Sequence, residues 1–123
     1  MTAEMSEQAQ YYIRLWRRVV VDFLGRSEAE LDELVSKWRE GLVEENSVFY
    51  HEAPEYYVAP KLVPESLARS LPSRDWERLC WAIYPVIGRY DRECGLAAEC
   101  FESLRRDLDG TIAAWVAANR REV

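Results

Sequence analysis

With 123 residues, 49% apolar and 31% charged, the chain suits one domain with its own core and is too polar for a membrane protein. Sixteen Lys and Arg against 22 Asp and Glu give a net charge of −6. That balance lacks the basic face that phosphate neutralisation requires, so nucleic acid is not an expected partner.

The acidity is concentrated. Residues 28–55 hold nine Asp or Glu against Lys37 and Arg39, a local balance of −7, and the remainder is close to neutral. The pairs Arg17-Arg18, Arg105-Arg106 and Arg120-Arg121 read as solvated helix surface. The opening Met-Thr-Ala-Glu-Met-Ser-Glu has no basic segment followed by an apolar one, and the longest apolar stretch, Ile112 to Ala118, is far short of a membrane span. The expectation is a cytoplasmic protein that neither is exported nor spans a membrane.

The spacing predicts a first helix over 6–24, with Tyr12, Trp16, Val19 and Phe23 along one stripe and Gly25 as its stop. Ser27-Glu28-Ala29-Glu30 is a capping-box pattern that opens a second helix carrying Leu31, Leu34, Val35, Trp38 and Leu42. Its acidic first turns suit the positive end of the helix dipole.

Between about 46 and 63 the helical period dissolves into a long connection with Pro54, Pro60 and four aromatics. Pro54 can open a single helical turn through Val58. A short helix over 64–71 follows. The next begins with Ser73 as its cap, carries Trp76, Leu79, Cys80, Ile83, Tyr84 and Ile87, and is expected to kink at Pro85. After a turn near 91–95, a last helix with Phe101, Leu104, Leu108, Ile112 and Trp115 runs through Gly110. The expected fold is all-α: one compact bundle of about five helices forming a single domain over 1–123. Trp38 and Trp115 are expected in its core.

The chemistry is mostly excluded. The five glycines stand singly, so no phosphate-cradling loop forms locally, and one histidine limits any nucleophile–base pairing to His51. Cys80, Cys94 and Cys100 are odd in number and irregularly spaced, with no Cys-x-x-Cys pair. They read as reduced packing residues rather than a disulfide framework. A zinc site would need all three to converge with His51, and is not expected. No catalytic residue, metal or cofactor is assigned.

The remaining candidates lie in the connection: Phe49, Tyr50, His51, Glu52, Glu55, Tyr56 and Tyr57. Histidine is the residue type suited to proton transfer at neutral pH, and on a helix His51 would share a face with Glu55, although Pro54 opposes a regular helix there. The aromatics either lay the connection onto the core or present rigid binding area beside the acidic second helix. The first functional expectation is a non-enzymatic protein-interaction or regulatory domain with a protein partner, a basic one by charge. The alternative is a small-molecule-binding protein or small enzyme with a pocket of His51, Glu55 and the tyrosines. A homo-oligomer is the third.

Overall fold

The computed structural model describes residues 5–44 and 48–119. Asn46 and Ser47 of the expected connection, and the Arg120-Arg121 pair, lie outside them. The protein is all-α, and among the described residues there are seven α-helices and no strand. The count exceeds the expected five because the second helix divides at Trp38 and the connection contributes a helix of its own. Two compact units meet in the chain between Pro54 and Glu55.

In the first unit, α1 (Glu7–Arg17) opens where the Ser6 hydroxyl accepts the Ala9 N–H at 3.1 Å. It continues into a π-helical turn, Arg18–Phe23, in which the Leu24 N–H reaches the Val19 carbonyl at 2.9 Å. The wider turn keeps both Val19 and Val20 buried and leaves Phe23 half-buried. The chain then leaves the helix at Gly25, φ 68°. α2 (Glu28–Lys37) starts with Ser27 accepting the Glu30 N–H at 3.3 Å, one leg of the predicted box, while the Glu30 carboxylate pairs with Arg26.

α2 ends because Trp38 sits at φ −107°, ψ 14°, outside the helical region, and α3 (Arg39–Val43) restarts beyond it. The cause is tertiary. Phe49 packs so tightly on α3 that a Cβ at Gly41 would lie 2.6 Å from its Cβ and Cγ. Phe49 also meets Tyr12, Trp16, Trp38 and Tyr50 at centroid distances of 5.1–6.3 Å, an aromatic cluster that forms the core of this unit. Trp38 is only half-buried, with the Lys37 ammonium 5.4 Å from its ring centroid. The fully buried tryptophan is Trp16.

The second unit holds α4 (Pro54–Val58), the turn Ala59–Leu62, α5 (Glu65–Ser70), α6 (Ser73–Cys94) and α7 (Phe101–Asn119). Pro54 does open one helical turn ending at Val58. Pro72, not Ser73, occupies the cap of α6, and no side chain caps it. α6 buries Leu79, Cys80, Ile83, Ile87 and Tyr90 and packs on α7, which buries Leu104 and Leu108. Beyond Leu108 burial of α7 falls off, so Ile112 and Trp115 are half-buried rather than core residues.

Tyr90 and Arg89 join α6 to α7 at Asp107. The Tyr90 hydroxyl donates to Asp107 Oδ2 at 2.5 Å, and Arg89 pairs with the same oxygen. The Tyr90 hydroxyl first, then the Arg89 guanidinium, hold the Asp107 carboxyl below its usual range.

Candidate functional site

The connection's seven candidates divide by burial. Phe49 is in the aromatic core, and Tyr50 is half-buried with its hydroxyl donating to the Leu42 carbonyl at 2.5 Å. The stretch is drawn inward by two further side chains. The Tyr12 hydroxyl donates to the Glu52 carbonyl at 2.7 Å, and the Trp16 indole N–H donates to the Pro54 carbonyl at 2.8 Å. With the backbone so held, the His51 and Glu52 side chains point to solvent. His51 closes the short turn Val48–His51, whereas Glu55 lies in the first turn of α4, so the two do not share a helix face.

Glu55, Tyr56 and Tyr57 belong to the second unit. Tyr57 is buried, and Tyr56 lies edge-on to Tyr57 and Tyr84 at 5.2 and 5.9 Å. The half-buried Glu55 rests on a notch in α6 made by Gly88. A Cβ there would lie 2.8 Å from Glu55 Oε1 and 3.3 Å from Arg92 Nη1. Burial, which disfavours the charged form, pushes the Glu55 carboxyl up from its ordinary range. Its own backbone N–H and Arg92 pull it back, while Asp91 adds to the rise. This is a carboxyl able to take up a proton more readily than a free one.

Among the described residues, no three His, Cys, Asp or Glu side chains are grouped to hold a metal ion. Cys80 faces the interior, and burial pushes its thiol up to about 11. No helix there is long and apolar enough to cross a membrane.

Compared with known proteins, the chain matches no family model, no curated protein and no solved structure.

Another surface is built by α6 itself. Arg74, Arg78, Trp81, Pro85, Arg89 and Arg92 are all exposed, and at 100° per residue they fall within an arc of about 80° along about 27 Å of helix. Trp81 is 53% exposed at the middle of the stripe. Arg89 is engaged with Asp107 and its guanidinium lies 5.0 Å from the Tyr90 ring centroid. No ion pair with a described residue holds Arg74 or Arg78. Pro85 belongs on this side, since the carbonyl it cannot serve, that of Trp81, lies on the solvent face where water can reach it. A sequence reading that follows only apolar residues misses the stripe. Tracing the polar residues of α6 at the same period is the signal that finds it.

Proposed function

We propose that the chain is a non-enzymatic protein-interaction module that receives an acidic partner segment along the outer face of α6. The observation that carries this is Trp81, 53% exposed in the midst of an arginine stripe. Tryptophan and arginine dominate binding energy at protein interfaces, because the ring buries a large area and the guanidinium pairs with carboxylates through two parallel hydrogen bonds. Arg74 and Arg78 flank the ring without ion-pair partners among the described residues, so a partner's carboxylates displace no internal salt bridge. A chain of net charge −6 repels polyanions at long range, which favours a short acidic protein segment over nucleic acid.

A basic partner on the acidic start of α2 has less support, since Glu28 and Glu30 are already paired with Arg17 and Arg26. The reading as a pocket of His51, Glu55 and the tyrosines has the half-buried Glu55 in its favour. Against it, Phe49 and Tyr57 are committed to packing.

The test places a photo-crosslinking amino acid at position 81 in cells that make the protein, with exposed Ala113 as the control position. The expected captured peptides are rich in Asp and Glu, and capture is lost with Arg74→Glu/Arg78→Glu. Trp81→Ala should weaken binding of the captured segment about 30-fold, or 2 kcal/mol, without lowering the melting temperature. Captured peptides with no acidic bias, or equal capture at Ala113, would sink the proposal. Capture of the chain by itself through an acidic segment would identify the partner as a second copy.

A further inference from the structure

The arginine stripe of the second unit has a counterpart in the first. Residues 1–54 hold eleven Asp or Glu against six Lys or Arg, a balance of −5, whereas residues 55–123, with eleven against ten, are nearly neutral. In that acidic unit α3 presents Glu40, Val43 and Glu44 on one exposed face, at three- and four-residue spacing, while Leu42 turns inward. The Glu44 N–H donates to the Glu40 carbonyl at 3.2 Å, so both carboxylates belong to one closed helical turn. Neither is ion-paired with a described residue.

The same face carries apolar surface. Val43 is 42% exposed, and Val48 is 75% exposed at the start of the turn Val48–His51 that packs on α3. That turn is fixed in place, with Phe49 against Gly41 and the Tyr50 hydroxyl donating to the Leu42 carbonyl at 2.5 Å. The large apolar side chains exposed among the described residues are Tyr11, Val43, Val48 and Trp81. Two of them accompany carboxylates on α3 and its turn, and one accompanies guanidinium groups on α6.

We propose that the acidic segment received by the α6 face is α3 of a second copy of this chain, so that the protein recognises itself head to tail. This rests on the reading of α6 as a site for an acidic segment and names its occupant. Arg74 and Arg78 are four residues apart on α6, and Glu40 and Glu44 are four apart on α3, about 6 Å of rise in each helix. With the helices side by side and parallel, Arg74 meets Glu40 and Arg78 meets Glu44 in a single register. Trp81, nearly one turn beyond Arg78, then comes to the end of α3 where Val43 and Val48 stand exposed. The apolar side chains leave water together inside a charged rim, as in other interfaces. Two copies of net charge −6 repel at a distance, but salt screens that repulsion beyond about 8 Å, while the docked charges are in contact. Because unlike faces meet, each copy joined through one face still offers the other until a ring closes.

The test follows the native full-length protein by sedimentation velocity from low micromolar to several hundred micromolar concentration. Its mass is expected to rise with concentration. Arg74→Glu/Arg78→Glu alone and Glu40→Arg/Glu44→Arg alone should each stay monomeric. The chain carrying all four changes should associate again, since every pair returns with its signs exchanged. Trp81→Ala should weaken association about 30-fold. All these positions are exposed, and circular dichroism checks that each variant is folded. A second measurement leaves the charges alone: isotope-labelled and unlabelled copies, each bearing an aromatic photo-crosslinker at 81, are mixed and irradiated. Tryptic peptide 79–89 of one label should be joined to 40–61 of the other. A chain monomeric at every concentration, association that survives both reversals or is not restored by all four changes, or cross-links confined to one label would each overturn self-recognition. Capture of another protein's acidic peptide at 81 by a chain that stays monomeric would overturn it and leave the α6 reading standing. A monomeric chain that captures no acidic peptide would sink both.

Discussion

Trp16 is the side chain on which the first unit depends most, and its removal gives the sharpest test of the packing described here. The ring is fully buried, meets Tyr12 and Phe49 edge-on at 6.4 and 6.3 Å, and donates its N–H to the Pro54 carbonyl at 2.8 Å. Truncation to Ala should cost about 3–5 kcal/mol through lost transfer energy and the cavity left behind. For a domain of this size that lowers the melting temperature by roughly 4 °C per kcal/mol. Trp16→Phe separates the contributions. It keeps an aromatic ring but removes the indole donor, a loss of about 1 kcal/mol for the hydrogen bond, with a further ~1 kcal/mol for the smaller ring. Trp38→Ala, at a half-buried site, should fall near the Phe variant rather than the Ala one. The measurement is denaturant unfolding followed by far-UV circular dichroism. If Trp38→Ala proved as damaging as Trp16→Ala, the assignment of the buried face would be wrong.

Two helical glycines should respond in opposite directions to Ala. At Gly41 the new Cβ meets the fixed Phe49 ring at 2.6 Å, so overpacking of about 1–3 kcal/mol exceeds the ~1 kcal/mol helix gain, whereas at Gly88 the nearest atom is the movable end of Glu55 and the gain survives. Equal losses in the two melting temperatures would refute this. Glu55→Gln should change the pH dependence of stability. The folded carboxyl titrates above the ordinary 4.5, so within that window the folded state holds a proton the unfolded state has lost, and wild-type stability falls as pH rises through it. The variant lacks that decline and is the more stable above it. A wild-type slope retained by Glu55→Gln would assign the effect to another group.

What could be read from the sequence was what is local. Ser6, Gly25, Ser27 and Pro54 set helix limits through their own hydrogen bonds and dihedral limits, and those limits stand. The break at Trp38 was not readable, because a ring eleven residues away, Phe49, decides how α3 lies. Phe49 and Tyr50 suited either a core or a binding loop, and only their contacts with Tyr12 and Trp16, more than thirty residues earlier, distinguish the two. The reversal after α6 was half readable: Gly95 is the residue a left-handed stop calls for, whereas Leu96, at φ 53°, is a leucine that no turn rule selects.

The exposure of Trp81 has a stricter origin than loose packing. Leu79, Ile83 and Ile87 are all fully buried and four residues apart, which fixes the rotation of α6 against the rest of its unit. Position 81 lies two residues beyond Leu79, about 200° around the helix, and so must face outward whatever residue stands there. No rotation can bury Trp81 without exposing that row, at about 1.5–3 kcal/mol for each side chain turned out. The phase that turns the indole outward, leaving it 53% exposed, also sets Arg78 and Pro85 beside it. This is the face on which the proposed docking of an acidic segment rests, and Trp81→Ala, by leaving the buried row untouched, tests it without disturbing the packing of α6.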